Sequence, residues 1–254
     1  MQRVSIAILA VLALAACTGD KQSRGTAQEP SREVQQNARD PKLDGWAKQF
    51  SNVRLRIVAP QSGEVLPPGD VAVQFQLENY EVWKDGAHVH LVLDDHPYVP
   101  VYDVSQPFML DDVAPGAHVL RAFPSRPWHE SIKSSPDAFA IVRFVVGADD
   151  GRWAFDPQKP ILTQSRPKGT YAGEQANRIL FDYYLANAEL SPTGYRVRWV
   201  LDGEENFATD WQATWWEGLI PGEHELAMDL VDQDGAPVDN GGLNRSTRRF
   251  TIKR

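Results

Sequence analysis

The chain has 254 residues, 42% of them apolar and 24% charged, with a formal net charge of −8. That acidic balance argues against a nucleic-acid binder, which needs a basic footprint. A single cysteine excludes an internal disulfide framework, and the length suffices for two cores that need no metal or disulfide support.

The chain opens with Met1-Gln2-Arg3 and then Val4 to Ala16, in which only Ser5 is polar. As a helix this run spans about 20 Å, short of a hydrocarbon core of about 30 Å, so it reads as a secretion signal rather than a membrane span. Its end, Leu14-Ala15-Ala16-Cys17, resembles the lipobox of bacterial lipoproteins. The resemblance implies cleavage before Cys17, a diacylglycerol on its sulfur and an acyl chain such as palmitate on its new amine. Thr18 after the cysteine favours the outer membrane by analogy with enterobacterial sorting. Thr18 to Gly45 has no aromatic residue and only Val34 and Leu43 as large aliphatics. Such a stretch buries too little to offset its ordering entropy and is expected to be a disordered tether.

From residue 46 onward the chain repeats itself. Gly86-Ala87-His88-Val89-His90-Leu91-Val92-Leu93-Asp94 is echoed 108 residues later by Gly194-Tyr195-Arg196-Val197-Arg198-Trp199-Val200-Leu201-Asp202. Pro115-Gly116-x-His118-x-Leu120 is echoed by Pro221-Gly222-x-His224-x-Leu226. Strand-like runs at 53–59, 71–78, 87–94, 107–110, 117–123 and 138–146 are divided by Gly- and Pro-containing turns. In 71–77 the alternation of Val71, Val73, Phe75 and Leu77 with polar residues marks a half-buried strand. The pattern resembles immunoglobulin-like or fibronectin-type bacterial modules. The expected fold is therefore all-β, with two tandem sandwiches after the leader. Residues 1–16 are the signal peptide, 17–45 the lipidated tether, 46–148 the first sandwich, 149–159 a connector and 160–254 the second sandwich.

Lettered as in such sandwiches, strands C (87–94) and F (117–123) are expected to be antiparallel neighbours, with the B–C and F–G loops at one end. Those loops carry Tyr80, Trp83, Arg126 and Trp128, residue types that dominate binding hot spots. The leading expectation is a non-catalytic envelope lipoprotein that captures an envelope protein or glycan through that end. The second expectation is a metal site. His88 and His90 share a strand face, which the better apolar set Ala87, Val89, Leu91 and Leu93 turns outward, and strand F delivers His129 and Glu130 close by. Imidazole donors of this kind suit zinc or copper. A third expectation is an enzyme or accessory domain acting on envelope polysaccharide, although no catalytic motif at fixed spacing supports it. His118 and His224 read as structural, since each repeats at a strand entry. Asp232, Asp234 and Asp239 give a faint calcium signal.

Overall fold

Alternation of side chains and turn chemistry produce the strands, and the same strands form twice. In this computed structural model residues 50–253 are described; the expected leader and the whole of the expected tether, Cys17 included, lie outside them. The first repeat runs through β1 (Arg54–Ala59), β2 (Val65–Leu66), β3 (Gly69–Glu78), β4 (His88–Leu93), β5 (Val99–Val101), β6 (Phe108–Val113), β7 (Gly116–Ser125) and β8 (Ala140–Val146). The second runs through β9 (Ile161–Arg166), β10 (Gly169–Ala172), β11 (Arg178–Ala186), β12 (Arg196–Leu201), β13 (Glu204–Ala208), β14 (Thr214–Glu217), β15 (Gly222–Val231) and β16 (Arg245–Lys253). One 3-10 turn, Gly173–Asn177, interrupts the strands of the second repeat.

Both repeats have one topology. The first pairs β1-β3-β6 in one sheet and β2-β8-β7-β4-β5 in the other; the second pairs β9-β11-β14 and β10-β16-β15-β12-β13. In each, the opening strand crosses between sheets, so that β2 runs parallel to β8 and β10 parallel to β16. Every other ladder is antiparallel, as in an immunoglobulin-like sandwich. Val71, Val73 and Phe75 do point inward from β3, where they meet Val89, Leu91, Leu120 and Phe144. The second core gathers Phe181, Trp199, Trp216 and Phe250. Burying one such side chain contributes about 1.5–3 kcal/mol.

The repeated aspartate and histidine form one clip per sandwich. Asp94 and Asp202 end strands β4 and β12 in the left-handed region, at φ 53° and 51°. His118 lies between Asp94 Oδ2 at 2.8 Å and the Ala114 carbonyl at 2.7 Å, while Asp94 Oδ1 accepts from Val119 N at 2.9 Å. His224 lies between Asp202 Oδ2 at 2.6 Å and the Ile220 carbonyl at 2.8 Å, with Glu225 N donating to Asp202 Oδ1 at 3.0 Å. Both rings are buried and both acceptors are used, which is how a buried polar side chain is accommodated.

The outer face of the first β7-β4 sheet is not solvated. All ten residues of β7 are buried, although only Leu120, Ala122 and their inward neighbours face the first core. The opposite face packs on β9 and β11: Val92, Tyr98 and Phe123 meet Tyr184, and Val119 meets Ile161 and Leu243. Trp153 and Phe155, from the stretch between the repeats, join the latter group. Polar bonds cross the same junction. Arg121 donates to the Leu162 carbonyl (3.3 Å) and to Thr163 Oγ1 (3.2 Å), and Arg248 donates to the His96 carbonyl (2.9 Å).

Candidate functional site

The site follows from strand register. On β4, Val89 and Leu91 enter the core, which leaves His88 and His90 on the other face. That face turns away from the first core, as the alternation predicts, but the docked second repeat covers it: both rings are 0% exposed. The face is outward from the first sandwich, as expected, and buried beneath the second repeat. The β4–β7 ladder sets His88 opposite Ser125, and the chain then folds back on itself. Arg126 N donates to the Glu130 carbonyl (2.8 Å), His129 N donates to the Arg126 carbonyl (2.9 Å), and Ser125 bridges Ser131. His129 completes that turn at φ 72°, a conformation that is uncommon outside glycine and costs about 1–3 kcal/mol.

Three imidazoles converge as a result. His88 Nε2 lies 3.0 Å from His90 Nε2 and 3.1 Å from His129 Nδ1. The three donor atoms fall within 4.8 Å of one another, and among the described residues this is the one group of three or more His, Cys, Asp or Glu so placed. Nitrogens bound tetrahedrally to one zinc or copper ion at about 2.0–2.1 Å would stand about 3.3 Å apart. His88 Nδ1 faces the Gly86 carbonyl at 2.7 Å, an atom that can only accept. Nδ1 therefore carries the proton and Nε2 presents its lone pair to the other two rings. A Cβ at Gly86 would collide with the indole of Trp83 as it lies here.

The surroundings keep the rings neutral, which is the form that ligates. Burial, followed by the charges of His88, His129, Arg166 and Lys168, holds His90 well below the ordinary imidazole value. Burial, with Arg166, His88 and Lys168, takes His129 down to about 3. Burial also lowers His88, partly offset by the Gly86 carbonyl. Tyr98 stacks on His90 with ring centroids 3.5 Å apart, Phe123 meets it edge-on at 5.3 Å, and Tyr102 lies 4.9 Å from His88. Ser165 Oγ, from the second repeat, lies 3.1 Å from His90 Nδ1.

The remaining expected residues go elsewhere. Glu130 stands outside the trio: its carboxylate accepts from Trp128 Nε1 at 2.9 Å and pairs with Arg126 Nε at 3.5 Å. Arg126 is 2% exposed, its guanidinium lying over the rings of Phe50 and Trp128. Trp128 is half-buried, and half-buried Tyr80 donates to the Ser125 carbonyl at 2.9 Å. Of the four loop-end residues, Trp83 alone is well exposed, at 49%. The loop end thus folds into a packed lid over the first sandwich rather than an open aromatic–arginine surface. Asp232 turns onto its own loop, accepting from Asp234 N and Ala236 N at 2.9 Å each, and gathers no cation site with Asp234 and Asp239. Ser165, Tyr98, Arg166 and Lys168 were not singled out from the sequence, since nothing local marks them as neighbours of His90.

No protein-family model matches the chain, and no curated protein does either. Among solved structures it is similar to the fibronectin(III)-like modules of Clostridium thermocellum CbhA, at 16% identity and TM-score 0.28, covering 78% of this chain and 94% of that one. It is also similar to a putative membrane anchored protein from Corynebacterium diphtheriae, at 11% identity and TM-score 0.28, covering 79% and 59%. A Bacteroides ovatus mixed-linkage glucan utilization protein, SGBP-B, is similar at 13% identity and TM-score 0.22, covering 78% and 70%. Likeness at this level decides nothing about the chemistry of the chain.

Proposed function

We propose that this chain is a metal-holding module of the cell envelope, in which His88, His90 and His129 bind one copper or zinc ion. One observation carries the reading: the ring nitrogens of three histidines converge within 4.8 Å, and a backbone carbonyl fixes the tautomer of the central one. Metal-ligating histidines are typically oriented in this way through their second nitrogen. Bound there, the ion would supply Lewis acidity or a redox couple. The protein's part is to hold three neutral donors, exclude water with Tyr98 and Phe123, and leave access past half-buried His129. The Leu14-Ala15-Ala16-Cys17 motif supports a lipid on Cys17 that secures the module to a membrane, the outer one by the identity of Thr18.

Equilibrium dialysis of the full-length chain against zinc and copper tests the reading. The expected result is one ion per chain, with affinity reduced at least about a hundredfold in His129→Ala and in the His88→Ala/His90→Ala pair. Uptake unchanged in both variants would remove the assignment. His129 is the partly exposed ring, so its variant keeps the test valid if the double one unfolds.

A second role, capture of an envelope glycan or protein, is favoured by the exposed indole of Trp83. Trp83→Ala is expected to reduce co-sedimentation with purified peptidoglycan about tenfold while leaving the unfolding midpoint in place, since a single exposed aromatic contributes to binding rather than to a core. Co-sedimentation equal to that of the unaltered chain sets this role aside.

A further inference from the structure

The donor set is unusual in its charge. Three neutral nitrogens face the would-be ion, and no carboxylate or thiolate joins them among the described residues. The side-chain charges that bear on all three rings are positive: Arg166 and Lys168, both from the second repeat. Geometry puts them there. Ser165 Oγ, one residue before Arg166, reaches His90 Nδ1 at 3.1 Å. The Tyr98 ring stacked on His90 carries Lys168 Nζ at 3.8 Å and Arg166 Cζ at 5.4 Å from its centroid. Lys168 also donates to the Tyr98 carbonyl at 2.6 Å.

Among the described residues no carboxylate stands within salt-bridge distance of Arg166 or Lys168. Asp182 is the cross-strand neighbour of Arg166, but it is committed to Lys133 and Ser131. An ion seated between the histidines therefore feels two uncompensated positive charges through a poorly solvated interior, where screening is weak. The repulsion scales with the charge of the ion, so a divalent cation feels twice what a monovalent one does.

We infer that the site selects monovalent copper over zinc and over divalent copper, with Arg166 and Lys168 as the residues that set this preference. The inference rests on the metal reading above. Coordination agrees with the charge argument as regards divalent copper, while zinc, which also accepts three imidazoles, is discriminated by charge alone. Divalent copper favours a tetragonal set of nitrogen and oxygen ligands, whereas the structure offers three imidazoles. Closed-shell cuprous copper has no such directional demand and accepts an irregular three-nitrogen site.

The test is chelator competition on the full-length chain and on Lys168→Gln, Arg166→Gln and the double variant. Cuprous copper is measured anaerobically with ascorbate present and bicinchoninate as competitor; zinc is measured against a chromogenic chelator. The unaltered chain is expected to hold cuprous copper more tightly than zinc. Removing positive charge is expected to tighten both ions, with the gain for zinc the square of the gain for cuprous copper: about threefold for one implies about ninefold for the other. Equal gains, or weakening of both ions as a purely structural role would produce, overturn the charge selection and leave metal binding standing. Uptake of neither ion by the unaltered chain removes the metal reading and this inference together. Half-buried Lys168 supplies the variant least bound up with folding.

Discussion

The metal-free protein is expected to lose stability steeply as the pH falls below about 6.5, well above the range in which its carboxylates titrate. His88 and His90 are fully buried, and His129 sits at the rim of the same cluster. Burial is the first cause of the depressed values of all three, and the charges of Arg166 and Lys168 add to it. In the unfolded chain each ring titrates near 6.5. Above that value neither state binds the proton and the full stability is present. Below it the unfolded chain takes up protons that the folded chain refuses, so stability is lost as the pH falls. The loss continues until the folded values are reached, about 3 for His129. Each ring contributes a slope of up to about 1.4 kcal/mol per pH unit, so three contribute about 4. Guanidinium unfolding between pH 7 and 4.5, with a chelator present, measures it. A His90→Asn variant should show a shallower dependence. A midpoint that does not move between pH 7 and 5 would mean that the rings are not held neutral.

Much of this architecture is legible in the sequence because it depends on local period and on repetition. Alternation places Val71, Val73 and Phe75 correctly, and the doubled Asp94–His118 and Asp202–His224 pairs announce a structural role before any contact is known. Neighbouring C and F strands are enough to bring His129 to His88 and His90. Two-residue β2 and three-residue β5 are too short to carry a period, and they escape. What alternation cannot report is whether the second face of a strand is covered. His88 and His90 read as outward-facing, and nothing in their own strand marks a cover. Their burial is decided by β9 and β11, where Ser165 and Tyr184 look like ordinary sheet residues. The loop end is misread for a related reason. Arg126, Trp128 and Glu130 satisfy one another within five residues, so hot-spot composition becomes internal packing.

One buried carboxylate ties the β7–β8 connection to β11, and its removal is the sharpest test of how the repeats are joined. Asp182 points outward from β11 and is 0% exposed. It forms an ion pair with Lys133, accepts from Ser131 Oγ at 3.1 Å and accepts from Ser131 N at 3.2 Å. Lys133, only 13% exposed in its side chain, also donates to Ser131 Oγ at 2.7 Å. These partners lie on the β7–β8 connection, two and four residues beyond His129. Asp182→Ala would leave the Lys133 ammonium, nearly buried, without its counter-charge and the Ser131 amide without an acceptor, an expected loss of about 3–5 kcal/mol. Replacing the pair together, as Asp182→Leu/Lys133→Met, should recover most of that loss, because apolar packing substitutes well for a buried ion pair. The Ser131 amide stays unpaired in the double variant, so recovery is incomplete. Its hydrogen exchange should remain faster than in the unaltered chain. Since the connection also carries the third imidazole, metal affinity should fall in both variants while stability returns in only one. Chemical unfolding and dialysis on the same three proteins read both quantities. A loss below about 1 kcal/mol in Asp182→Ala would show that apolar contacts around Tyr98, Phe123 and Tyr184 hold the junction without the ion pair.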